Sequence, residues 1–238
     1  MGIEQFFKEN DALFIDASAL TPHTNHTVRA FVDMHSPAKL YLFQTEFSDT
    51  ILDLEKIHAL QATYRNAYFT QGVQKETQAL LTLLAFGYQK HKGQQQVHAR
   101  VHFTKPRGNT PRATRIENLL LEKRTSESSM PYTPTLDLVE QILETMQNIL
   151  REIPVYPPPA LPANVPQGLS INDVELLESL LAYLQQNQPK RAAIVTKDQP
   201  LARSWIPRLD ELTKEERLDI SQRSKIYLLR NPHSYALH

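Results

Sequence analysis

Short apolar runs alternate along this chain with longer stretches in which apolar residues recur every three or four positions. "DALFIDAS" is a brief apolar run, Leu13-Phe14-Ile15, that stops on Asp16 and is followed by small residues. Such a run predicts a strand buried on both faces, the kind found in parallel sheets. "NHTVRAFVDMHS" predicts a short helix, with Asn25 or Thr27 near its start. "AKLYLFQT", rich in aromatic and aliphatic residues, predicts a second strand. In "EFSDTILDLEKIHALQATYRNAYF" the residues Phe47, Ile51, Leu54 and Ile57 keep helical spacing, which predicts an amphipathic helix. "KETQALLTLLAFGYQKH" predicts another, more apolar helix.

The pattern then changes. In "VHARVHF", Val97, Ala99, Val101 and Phe103 alternate with His98, Arg100 and His102, a period of two that predicts a strand. A basic, turn-rich stretch follows, and then "LDLVEQILETMQNILREI", an amphipathic helix. "PVYPPPALPANVPQG" is an extended, stiff connector. "SINDVELLESLLAYLQQNQ" has Ser170 or Asn172 as its cap, acids in its first turn and a buried stripe of Ile171, Val174, Leu177, Leu181 and Leu184. "RAAIVT" predicts a strand, "KDQPLARSW" a turn and short helix, "LTKEERLDISQ" a helix and "KIYLLR" a last strand. Strands alternating with helices predict an α/β fold with a largely parallel sheet. No internal repeat interrupts the pattern.

Composition narrows the chemistry. Acids and bases balance at 26 each, so no global charge draws the chain toward nucleic acid or membrane. The absence of cysteine excludes disulfides, thiolate zinc sites, iron–sulfur clusters and cysteine nucleophiles. No run reaches the ~18–20 apolar residues of a membrane helix. The start, "MGIEQFFKENDALF", has the pattern of neither a secretory signal nor a myristoylation site, since position 6 is Phe. The expected location is the cytoplasm.

Two acids lie at or just beyond predicted strand ends, where open α/β sheets bind their ligands. Asp16 closes the first strand, and Asp198 follows "AAIVT" after one residue. Asp173 sits in the first turn of the helix leading into that strand. Singly, each suits a turn or a helix cap. Gathered together, they would repel one another unless a cation lay among them, and an all-oxygen donor set selects Mg²⁺ or Mn²⁺. Such ions serve phosphoryl-transfer chemistry.

"FIDASAL", "LSINDVELLESLLAYLQQ" and "AAIVTKDQPLA", in this order, resemble the signature segments of PIN-domain nucleases. The resemblance covers about half of the chain, in residues 1–65 and 168–238, with residues 70–165 as a mostly helical insertion. It implies a single three-layer PIN-like sandwich with Asp16, Asp173 and Asp198 as metal-binding acids. Ser18 and Thr196 would be supporting hydroxyls. The family usually has a further acid two residues beyond the last aspartate, where this chain has Pro200. It also has an acid in the helix after the second strand, for which Glu46, Asp49, Asp53 and Glu55 are available. Glu46 and Asp49, nearest the predicted strand end, are favoured.

The expected activity is a metal-dependent endoribonuclease acting on RNA. The alternatives are a catalytically weak or inactive PIN-like module that binds RNA or a protein, and a structure-specific DNA nuclease. A toxin role also occurs on this fold, in shorter chains. Lys105, Arg107, Arg112, Arg115, Lys123 and Arg124 would hold phosphates, extended by His98, Arg100 and His102. The same stretch also fits a solvated loop. His98 and His102 lack a third ligand and do not form a metal pair. A homodimer or a protein partner would use the insertion.

Overall fold

The computed structural model describes residues 2–22, 25–103, 133–162, 165–166, 168–188 and 190–229. Within them β1 (Ala12–Ile15), β2 (Ala67–Tyr68), β3 (Ala192–Thr196) and β4 (Ser224–Leu228) form one sheet in the order β2-β1-β3-β4. Every pairing is parallel. All residues of β1 and β3 are fully buried, so both faces of the sheet are covered by helices. That is why these strands read as continuous apolar runs rather than alternating ones. Burying each Leu, Ile or Phe completely contributes ~1.5–3 kcal/mol.

Before β1 comes α1 (Ile3–Glu9), and after it α2 (Ala17–Leu20), α3 (Asn25–Asp33), a 3₁₀ helix (Pro37–Phe43) and α4 (Gln44–Tyr64). Phe47, Ile51, Leu54 and Ile57 of α4 are all buried, as their spacing predicts. α4 ends where Arg65 turns left-handed, φ 52°, its N–H bonded to the Gln61 carbonyl. The Gln61 side chain then accepts from the Ala67 N–H at 3.0 Å and so starts β2.

α5 (Gln71–Phe103) and α6 (Thr133–Glu152) belong to the expected insertion, and α6 packs along α4. Gly87 of α5 permits close contact with α3, because a Cβ there would lie 2.8 Å from the Phe31 ring. After α6, Pro154–Tyr156 returns to the sheet. Phe69 donates to the Pro154 carbonyl at 2.9 Å and Tyr156 donates to the Phe69 carbonyl at 2.7 Å. This covers the outer edge at the end of β2. α7 (Ile171–Gln186), α8 (Gln199–Asp210) and α9 (Lys214–Arg223) complete the chain's helices among the described residues.

Two predicted strands are helical. "AKLYLFQT" forms the 3₁₀ helix and the start of α4. Pro37 begins that helix, and Tyr41 and Leu42 stay exposed, so the apolar residues do not mark a buried strand. "VHARVHF" ends the 33-residue α5. Its alternation spans too few residues to oppose a helix already established upstream. Ile171, expected in the buried stripe of its helix, is 50% exposed because the first turn of α7 projects beyond the core. Lys105, Arg107, Arg112, Arg115, Lys123 and Arg124 lie outside the described residues. No helix among the described residues is long and apolar enough to cross a membrane.

Candidate functional site

The chain runs from β1 outward to β2, then returns past β1 to place β3 on its other side. Strand order therefore reverses between β1 and β3. The carboxyl ends at such a switch point leave a crevice, since the connecting segments depart in opposite directions. Asp16 and Thr196 are at this point.

Asp16 is the seam between strand and helix. Its N–H donates to the Val195 carbonyl at 2.9 Å, the last step of the β1–β3 ladder, while its own carbonyl accepts from Ala19 at 3.0 Å as α2 begins. Its carboxylate does not cap α2. Instead Oδ2 accepts from the Ser18 hydroxyl and, at 2.6 Å, from the Thr196 hydroxyl. Each hydroxyl has one proton, and both protons are committed to Asp16. The 3.1 Å contact between Ser18 and Thr196 is then a contact of two oxygens over a shared acceptor. Their lone pairs are used as well. Ser18 accepts from the Lys197 N–H at 2.9 Å, and Thr196 accepts from the Asp198 N–H at 2.8 Å. Thr196 is thus a fully buried hub that fixes one acid through its proton and the backbone of the next through its oxygen.

Burial pushes the Asp16 carboxyl up to about 6, against the pull of the Ser18 and Thr196 hydroxyls. The charges of Asp173 and Glu76 add to the rise. Asp198, at the cap position of α8, is also held above the ordinary carboxylate range. Desolvation is the larger cause and the charge of Asp173 the next, with the Leu201 amide opposing both. Asp173 therefore acts on both strand-end acids. Its own position comes from a capping box: Asp173 N–H donates to Ser170 Oγ at 3.1 Å and its carboxylate accepts from the Ser170 N–H at 2.7 Å.

Glu76 was not foreseen. It lies near the start of α5 and accepts from Asn172 Nδ2 at 3.0 Å, beside Asp173. Buried Glu175 of α7 accepts from the N–H groups of Gln71 and Gly72 at 3.2 and 2.8 Å, so one helix caps the other. A side chain at Gly72 would collide with Asn172 and Glu175.

Glu46 and Asp49 lie in the first turns of α4, which follows the 3₁₀ helix rather than a strand. Glu46 accepts from Thr27 at 3.0 Å. The like charges that act most on Asp16 come from Asp173 and Glu76 instead. Asp53 pairs with Lys197 at 2.9 Å, and Glu55 is exposed. The signal for Glu76 was in the sequence: with the strand placed at "AYF", the helix after the second strand is α5.

The donor chemistry suits a hard divalent cation, with oxygen ligands only and like charges that a cation would relieve. The arrangement is open, however. Among the described residues, no group of three His, Asp or Glu side chains stands close enough to hold one ion together. Pro200 occupies the first turn of α8, where it supplies no carboxylate. No protein-family model, curated protein or solved structure matches this chain.

Proposed function

We propose that the chain is a PIN-like, metal-dependent endoribonuclease. The observation that carries this reading is the placement of Asp16 and Asp198 at the ends of adjacent parallel strands at the switch point, with the charge of Asp173 acting on both. Asp173 raises the pKa of both Asp16 and Asp198, and Glu76 adds to the first. Like charge beside the buried Asp16 carboxyl is costly, and binding a cation there is the use that would offset the cost.

In this reading Asp16 and Asp198 would hold Mg²⁺ or Mn²⁺, with Asp173 and Glu76 beside them. The ion would supply charge stabilisation at a phosphodiester and a more acidic bound water. Ser18 and Thr196 orient Asp16 and favour its ionised form against the effect of burial. Asn172 holds Glu76. Basic residues of the 104–132 stretch would bind RNA phosphates.

The test is cleavage of single-stranded and structured RNA, with DNA as competitor, in Mn²⁺. Wild type is compared with Asp16→Asn. Loss of cleavage in the variant supports the reading, and undiminished cleavage defeats it.

A second reading is a PIN-like module that binds RNA or a protein without cutting. It is favoured by Pro200 and by the open arrangement of the acids. Calorimetric titration with Mn²⁺ separates the two, since absence of binding at millimolar ion supports the module.

A further inference from the structure

The two edges of the sheet differ. At the β2 side, Pro154–Tyr156 pairs with Phe69, so the chain closes that edge itself. At the other side, among the described residues, β4 pairs with β3 alone and no segment lies against its outer edge.

The register fixes which groups point outward. The Leu229 N–H donates to the Thr196 carbonyl at 2.8 Å, and Thr196 stands opposite Leu228. In a parallel ladder a residue directs its N–H and C=O to the same neighbour, and alternate residues bond alternate sides. Lys225, Tyr227 and Leu229 therefore bond β3. Ile226 and Leu228 direct both backbone groups away from it, and among the described residues nothing receives them. An edge with free donors and acceptors on an apolar strand is a template for another strand. Here it lacks the usual protections. It carries no proline, its register with β3 runs unbroken from Ser224 to Leu228, and its one charge, Lys225, is matched by Glu9 at 3.5 Å.

We propose that β4 pairs with β4 of a second copy of this chain, antiparallel, about a twofold axis through Tyr227. The occupant follows from the strand itself. Residue 226 then faces 228 of the copy, and both are outward-pointing, so they exchange two hydrogen bonds. The symmetric pair exchanges two more. Tyr227 faces its own counterpart. The outward positions are Ile and Leu, so the cross-strand pairs are apolar and self-compatible. The balanced net charge opposes no copy approaching another. The result is an eight-stranded sheet across a C₂ dimer, the commonest oligomer symmetry.

The test measures the mass of the intact chain by sedimentation equilibrium. Wild type should be a dimer that dissociates on dilution. Ile226→Pro removes one outward N–H per copy without touching the β3 ladder, and weakens association roughly tenfold or more. Leu228→Lys places like charges along the pairing edge and should give monomer with an unchanged circular dichroism spectrum. It keeps the test decisive should the proline variant unfold. Because the chain has no cysteine, Tyr227→Cys provides a single thiol, and under oxidation it should link two copies through position 227. A wild-type monomer at all concentrations overturns the proposal. So does a dimer that Leu228→Lys leaves intact, or one that Cys at 227 does not cross-link.

Discussion

The Asn172 side-chain amide donates to Glu76 at 3.0 Å, joining the start of α7 to the second turn of α5 across a sequence separation of 96. That bond sets a carboxylate beside the strand-end acids. Because Glu76 raises the Asp16 pKa through like charge, Glu76→Gln should lower it. A carboxyl-carbon NMR titration would read the shift. In the nuclease reading the same variant binds Mn²⁺ more weakly, although its Asp16 ionises more readily. Stronger Mn²⁺ binding in Glu76→Gln would remove Glu76 from the site.

Stability and activity should respond to pH in opposite directions. Burial pushes the Asp16 carboxyl from the ordinary 3.8 up to about 6, so the folded state binds the proton more tightly. The resulting stability is full below the unfolded value and is lost as pH rises through about 6. A rise of roughly two units corresponds to about 3 kcal/mol at pH 8. Asp16→Asn should therefore melt higher than wild type at pH 8, with the gap closing near pH 4. Cleavage needs the carboxylate and should rise with pH through the same window. Added Mn²⁺ should raise the melting temperature of wild type and not of Asp16→Asn.

Thr196 binds its neighbours through a proton and a lone pair at once. Thr196→Val keeps the shape and removes both. The fully buried position makes the cost about 1–3 kcal/mol by chemical denaturation. Losing a hydroxyl that lowers the Asp16 pKa should also move that titration upward. Thr196→Ser retains the hydroxyl and should restore the pH midpoint.

Lys197 and Asp53 make an unequal pair. The lysine side chain is 7% exposed and the aspartate 36%, with Nζ and Oδ2 2.9 Å apart. Removing the lysine leaves an aspartate that water can reach. Removing the aspartate strands a buried cation, whose nearest remaining oxygen is the Thr21 carbonyl at 3.4 Å. Asp53→Leu should therefore cost more stability than Lys197→Met, by about 1–2 kcal/mol. Urea denaturation of both variants and the double variant would measure it, and equal costs would contradict the assignment of burial.

The buried strands were legible because wholly apolar runs have few other uses. β1, β3 and β4, the long helix α4 and the Ser170 cap all follow from local pattern. β2 was not, since two paired residues in "NAYF" give no periodicity to detect. That gap had a consequence for the site. With the second strand assigned to "AKLYLFQT", the acid of the helix after it was sought in α4, at Glu46 and Asp49, and Glu76 of α5 was not considered. The placement of Asp16 and Asp198 at strand ends and of Asp173 at a helix head was legible, because it is a property of sequence order. The caps that position them, such as Glu175 on α5, join distant helices and leave no local trace.

The bond between Thr196 and Asp16 spans 180 residues. A ribosome delivers the first partner long before the second, so the seat of the acids cannot exist on a partly made chain. Non-local parallel pairing is also slow to form. Whatever chemistry the switch point performs therefore appears late and all at once, when β3 docks beside β1. An amino-terminal fragment that ends before β3 would lack both the Thr196 hydroxyl that fixes Asp16 and Asp198 itself.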